Sequence, residues 1–195
     1  MPHRTKISLH LIPILKSLKR GPQIVLPKDF GAMLAYSGID KTSRVVEAGA
    51  GSGYLTVQLA RFCRRVVSYE KDERFYRLAR QNISKSGVRN VRLKFADALK
   101  GISERKVDLV VLDMPESHLV IPHAYKALKK NGCLIGYNPN MEQVKRFVLT
   151  ARGNGFKDDF TIEVIARDIL VREYGVRPVN VGLTHTGYIT FAWKR

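Results

Sequence analysis

The segment Val45-Val46-Glu47-Ala48-Gly49-Ala50-Gly51-Ser52-Gly53-Tyr54 constrains this chain more than any other. A β-branched run ends in an acid, and three glycines follow at alternate positions. Such a pattern carries a parallel strand into a tight turn and then a helix. The glycines leave no side chain in the way of a ligand lying over the turn. A dinucleotide fingerprint would need its third glycine at position 54, which is Tyr54. Glu47, at the strand end, would repel a pyrophosphate and suits a ligand that carries an amine and hydroxyls. S-adenosylmethionine fits that description better than NAD.

Around the turn, strands and helices alternate. Val45 to Glu47 reads as a strand, Tyr54 to Phe62 as a helix, Val66 to Glu70 as a strand and Asp72 to Lys85 as a helix with Gly87 beyond it. Val91 to Phe95 is the next strand. Val107 to Leu112 is nearly all apolar, as befits a central strand buried on both faces. A helix near Val120 to Leu128, a strand from Cys133 to Tyr137 and a helix from Met141 to Asn154 follow. Thr161 to Leu170 and Tyr188 to Trp193 read as two closing strands, separated by a polar stretch with Pro178 and Gly182. Ahead of the first strand, Lys28 to Gly38 reads as a short helix ended by its glycine. Repeated β-α-β units predict an α/β fold with a mostly parallel, seven-stranded Rossmann-like sheet. The two closing strands predict an antiparallel hairpin at one edge.

Charge narrows the function. The 195 residues carry 34 Lys and Arg against 17 acids, a net +17, which favours a polyanionic partner such as nucleic acid. The excess is local as well: His3, Arg4, Lys6, His10, Lys16, Lys19, Arg20 and Lys28 all precede Asp29, the first acid. The apolar stretch from Ile7 to Leu18 is too short to span a bilayer and is broken by Pro13 and Lys16, so no membrane partner and a cytoplasmic location are expected. Cys63 and Cys133 lie far apart with no CxxC or Cys/His cluster, so neither disulfide nor metal is expected.

Acids follow the strands in order. Glu70 closes the second strand, 21 residues beyond Gly49, where a carboxylate can accept both ribose hydroxyls. Asp97 stands just past the third strand and could accept an adenine amino group. Asp113, in Asp113-Met114-Pro115-Glu116, stands at the carboxyl end of the buried fourth strand, where open α/β sheets bind ligands. It is the candidate for chemistry.

Arg20-Gly21-Pro22-Gln23-Ile24-Val25-x-Pro27-Lys28-Asp29, the glycine turn, Val67-Ser68-Tyr69-Glu70, Leu112-Asp113-x-Pro115, Arg177-Pro178 and His185-Thr186-Gly187-Tyr188-Ile189-Thr190-Phe191-Ala192 together resemble the tRNA adenine-N1 methyltransferases, the last block especially their archaeal members. The resemblance implies a class I methyltransferase that transfers a methyl group from S-adenosylmethionine to N1 of a T-loop adenine, position 58 and in archaeal members also 57. It implies cofactor contacts from Gln23, Ile24, Glu47, Gly49, Gly51, Gly53, Tyr54, Leu55, Glu70, Lys71, Asp97, Ala98 and Asp113, with Asp113 also catalytic. It further implies a homo-oligomer, usually a tetramer.

Relatives carry a small β domain before the Arg-Gly-Pro-Gln block, where 19 residues stand here. The expected organisation is therefore a basic amino-terminal segment, 1–19, and a methyltransferase domain, 20–195. The basic lead would substitute for part of the missing domain in docking tRNA. Leu26 stands where relatives place an aromatic or histidine suited to stacking on the target base. His185, Tyr188 and Trp193 belong to the closing strand and are expected to serve sheet packing or a subunit interface rather than to act in catalysis. Two other readings stay open: a methyltransferase of the cobalamin pathway acting on a precorrin, and an RNA-binding protein that has kept the cofactor fold and lost activity.

Overall fold

The computed structural model describes residues 9–21, 23–180, 182 and 185–195. His3, Arg4 and Lys6 of the basic lead and Pro22 of the Arg20–Asp29 block lie outside the described residues.

In chain order the elements are α1 (Pro13–Ser17), α2 (Pro27–Ser37), β1 (Arg44–Ala48), α3 (Tyr54–Phe62), β2 (Arg65–Glu70), α4 (Glu73–Ser86), β3 (Val91–Phe95), β4 (Val107–Leu112), α5 (Ile121–Ala127), β5 (Leu128–Asn138), α6 (Met141–Gly153), β6 (Phe156–Glu163), β7 (Ile169–Arg172), β8 (Gly175–Pro178) and β9 (Tyr188–Lys194). Local chemistry sets their ends. Pro27 opens α2, where its missing N–H is no loss, and Gly38 closes it at φ 68°. Asp72 caps α4 by accepting from the Arg74 and Phe75 amides. Asn140 caps α6 through the Gln143 amide.

Seven strands form one sheet in the order β3-β2-β1-β4-β5-β9-β6. β1 to β5 run parallel, and β9 lies antiparallel between β5 and β6. The expected antiparallel closing pair is present. The order reverses between β1 and β4, which places the ligand crevice at their carboxyl ends. Val45 and Val46 point to opposite faces of β1, and both are buried. Helices cover each side, so Val45 packs with Leu55 and Leu59 of α3, and Val46 with Phe147 and Ala151 of α6. α6 approaches closely because Gly136 has no side chain: a Cβ there would lie 2.5 Å from the Phe147 ring.

Three boundaries differ from the sequence reading. The strand expected over 161–170 ends at Glu163, and β7 belongs to a separate two-stranded sheet with β8. The Val164 carbonyl, which could have continued a ladder, accepts from Lys28 Nζ at 2.5 Å, and the Asp168 carbonyl takes the Val179 amide. β5 starts at Leu128 rather than near Cys133, because Leu128 pairs with Val107 before a register shift. The helix expected near Val120 begins with a 3-10 turn, Ser117–Val120.

Residues 9–19 of the amino-terminal segment are docked. Leu11, Leu15 and Leu18 are buried with Ile24 and Leu26 against Tyr54 and Val57 of α3. Leu26 is therefore a core residue, packed as a leucine can pack.

Candidate active site

The crevice holds a cleft of about 420 Å³, within the range of small-molecule sites. Its walls come from the segment Gln23–Val25, the glycine turn, the ends of β2, β3 and β4, and Tyr137 and Pro139 at the end of β5.

The glycine turn closes the floor. Ala48 pairs with Leu112, so the Asp113 amide donates to the Ala48 carbonyl at 2.9 Å. A Cβ on Gly49 would meet the Asp113 carbonyl oxygen at 2.0 Å, so only glycine lets the two strand ends approach. Gly51 turns at φ 53°, with nothing within 4 Å of where its Cβ would stand, and leaves room for a ligand. The Gly49 and Ala50 amides donate to the Tyr69 carbonyl, which ties the turn to β2.

Glu70 has only 8% of its surface exposed. Its Oε2 accepts from the Gly51 amide at 2.8 Å and its Oε1 from the Asp72 amide at 2.9 Å. Each oxygen keeps a lone pair, enough for two hydroxyls of a ribose. Asp97 Oδ1 accepts from the Leu99 amide at 2.9 Å, which leaves Oδ2 for an amino group. Asp113 differs from both. No donor reaches its carboxylate among the described residues, and desolvation pushes its pKa up to about 7.

Of the expected cofactor residues, Gln23, Ile24, Gly49, Gly51, Tyr54, Leu55, Glu70, Lys71, Asp97, Ala98 and Asp113 line this one cleft. Two do not. Gly53 faces α4, where a Cβ would come 3.2 Å from the Ala79 Cα, so it sets helix packing. Glu47 lies fully buried beneath the turn, where its Oε2 accepts from Thr56 Oγ1 at 2.5 Å and Ser68 Oγ at 2.7 Å. Its Oε1 has no partner among the described residues, and burial pushes its pKa up to about 7. A strand-end acid that looked ligand-facing in the sequence supports the turn from below instead.

Several contributors were not foreseen. Asp29 is fully buried and accepts from Lys28 Nζ at 2.7 Å, Thr186 Oγ1 at 2.8 Å and the Tyr137 hydroxyl at 3.2 Å. Tyr137 walls the cleft, so Asp29 fixes the wall from behind. Asn82 of α4 is a second brace. It donates to the Ser52 and Lys19 carbonyls at 2.7 and 2.8 Å and accepts from the Lys19 amide at 2.9 Å, joining the amino-terminal segment to the glycine turn. An acid next to Lys-Pro residues and a mid-helix Asn give no period-based signal. His185 stays off the cleft. Its Nδ1 meets Glu163 Oε1 at 2.6 Å and its Nε2 the Pro139 carbonyl at 2.9 Å, and the Glu163 carboxylate raises its pKa.

A family model described as the tRNA methyltransferase complex GCD14 subunit matches residues 9–177. A tRNA (adenine(57)-N(1)/adenine(58)-N(1))-methyltransferase from Methanocaldococcus jannaschii is 37% identical, over 93% of this chain and 75% of its own length. This chain belongs to the tRNA adenine-N1 methyltransferase family. Solved members and neighbours agree with the fold. The tRNA (m1A58) methyltransferase of Aquifex aeolicus superposes with a TM-score of 0.87 at 25% identity, covering 93% of this chain and 74% of that one. A SAM-dependent O-methyltransferase of Thermotoga maritima gives 0.88 at 30% identity, covering 94% and 71%. Family membership places the Asp113 cleft in a group of named methyltransferases and gives no support to a precorrin substrate. Among the described residues there is no cluster of side chains able to hold a metal, and no helix long and apolar enough to cross a membrane.

The cleft fits the cofactor named for the Thermotoga neighbour. An open glycine turn gives it room, and a carboxylate with free lone pairs at each oxygen and an acid oxygen beyond β3 match its ribose and adenine groups in kind.

Proposed function

We propose that this chain is an S-adenosylmethionine-dependent methyltransferase acting on N1 of a T-loop adenine in tRNA. The observation that carries the reading is Asp113: a desolvated carboxylate that no donor reaches among the described residues, in the same cleft as Glu70 and Asp97. S-adenosylmethionine supplies the methyl group. Glu70 accepts the ribose hydroxyls, Asp97 accepts the adenine amino group of the cofactor, and Gln23 and Ile24 cover it. Adenine N1 carries a neutral lone pair, so no base has to remove a proton first. Asp113, as the anion, accepts from the N6 amine of the target base, orients N1 and stabilises the positive charge that develops on the ring.

A T-loop adenine must be unstacked to enter the cleft. The basic segment 1–19 would hold the RNA backbone beside the methyltransferase domain, 20–195. Lys16 and Lys19 of the segment, with Arg20 directly after it, support this: all three are exposed and make no ion pair among the described residues. A homo-oligomer is supported by the β7–β8 hairpin, whose Val171 and Tyr174 are 73% and 94% exposed. Two-stranded ribbons are marginal alone and gain from a covering surface.

The test is mass spectrometry of nucleosides from tRNA incubated with protein and cofactor. N1-methyladenosine should accumulate with the native chain and not with Asp113→Ala. Salt-dependent tRNA binding with no methylated nucleoside would replace the enzyme with a binding module.

A further inference from the structure

Beside the main cleft lies a second cavity of about 260 Å³, lined by Pro115, Glu116, Ser117, His118, Gln143 and Arg146. Pro115 and Gln143 also line the main cleft, so the two spaces share a wall immediately beyond Asp113 and Met114. The cavity is built by two rigid pieces. Gln143 and Arg146 are three residues apart on α6 and therefore share a face. The opposite side is the 3-10 turn Ser117–Val120, entered through Glu116 at φ 58°. Ser117 is pinned by a bond from its Oγ to Oδ1 of the fully buried Asn138, 3.2 Å away.

Its chemistry is mixed. Arg146 makes no ion pair or hydrogen bond among the described residues, although Glu116 lines the same cavity. A planar guanidinium matches two phosphate oxygens at once. Glu116 can accept from a hydroxyl, and the His118 ring offers a face and an edge nitrogen. The sugar and phosphates of a target nucleotide lie outside the space that holds its base and need polar, cationic surroundings next to it. This cavity adjoins the base cleft through Pro115 and Gln143 and carries such groups.

We propose that the cavity is a subsite for the sugar-phosphate backbone of the target nucleotide, with Arg146 on a phosphate and Glu116 on the ribose hydroxyl. Arg146 is a positioning and affinity residue for RNA and has no part in holding the cofactor. The inference rests on the adenine reading of the main cleft.

The experiment is methylation of a tRNA transcript over a range of RNA and salt concentrations, with cofactor affinity measured separately. Arg146→Ala should raise KM for tRNA about ten-fold, leave kcat and cofactor Kd within two-fold, and lower the salt slope of log KM by about 0.7–1, one phosphate contact. Arg146→Lys should restore the slope but only part of the KM, because an ammonium is a point charge. Arg152→Ala, on the same helix but paired with Asp159, is the control for bulk charge and should change none of these. An unchanged KM and slope in Arg146→Ala, an equal rise in Arg152→Ala, or a parallel fall in cofactor affinity would each overturn the subsite. Failure of the native chain to methylate tRNA would instead strike the adenine reading itself.

Discussion

Glu47→Gln separates a supporting acid from a ligand-binding one. Glu47 is fully buried, its Oε2 takes two hydroxyl donors and its Oε1 takes none among the described residues. Burial raises its pKa from 4.5 to about 7, with Asp113 and Glu70 adding repulsion. The sign follows from linkage. Between those values the folded chain holds a proton that the unfolded chain has released, so stability falls as pH rises through the window. With the two pKa values above, the loss from pH 5 to pH 8 is about 2.5 kcal/mol. Glutamine keeps the shape and one acceptor and removes the titration. It leaves a buried amide donor unpaired, which costs about 1–3 kcal/mol at every pH. Urea unfolding of both proteins at pH 5, 6, 7 and 8 measures the difference, and contributions from other titrating groups largely cancel in it. The variant should be the less stable at pH 5 and should gain about 2.5 kcal/mol on the native chain by pH 8. Stability differences that stay constant across the series would refute the buried, protonating carboxylate. A variant that instead lost cofactor affinity while keeping its stability profile would return Glu47 to the ligand.

Glu70→Ala removes an acceptor for hydroxyls and orphans the Gly51 amide, so cofactor Kd by calorimetry should rise at least about ten-fold, the loss of one charge-assisted bond. Asp113→Ala should keep cofactor affinity and lower kcat by about 10²–10³, as for other preorganised electrostatic groups, in a single-turnover assay. Native kcat/KM should rise with pH through about 7, because the reaction needs the anion and desolvation favours the acid; Asp113→Ala should lose that limb. Gly136→Ala pushes a methyl group to 2.5 Å from the Phe147 ring and should cost about 1–3 kcal/mol in denaturant unfolding, with no change in m.

The parallel half of the fold was legible because each signal was local. β1, α3, β2, α4, β3 and β4 have strong periodicity and clear glycine or acid ends, and their bounds fall within a residue or so of expectation. The acids at successive strand ends were legible for the same reason, since strand ends map to the crevice by topology. The carboxyl-terminal third was harder. Val164-Ile165-Ala166 reads as continued strand, yet the Val164 carbonyl is taken by Lys28, 136 residues away, and such a tertiary bond leaves no trace in local pattern. The direction of the Glu47 side chain was hidden for a related reason: it points under the turn, and direction at a strand end is not set by sequence spacing. Leu26 packs in the amino-terminal cluster, as a leucine can.

The blocks at the two ends of the resemblance, Pro27-Lys28-Asp29 and His185-Thr186-Gly187, carry no chemistry in sequence, yet they meet at one point in space. Lys28 Nζ reaches Asp29 Oδ1 and Thr186 Oγ1, and Asp29 Oδ2 accepts from Thr186 and from Tyr137. Gly187 packs where a Cβ would lie 2.6 Å from the Tyr137 ring. A buried pair of this kind adds little net stability, because desolvation offsets most of the attraction. Its effect is positional. α2 follows the Gln23–Val25 segment directly, and Gln58 of α3 holds the Val25 carbonyl at 3.1 Å. With Asp29 fixing α2 to Thr186, just ahead of β9, and to Tyr137 of β5, and Gln58 fixing the segment to α3, the cover of the cleft is tied both to the sheet and to the helix that follows the glycine turn. The ends of the chain thereby set the shape of a cleft whose chemistry lies in its middle.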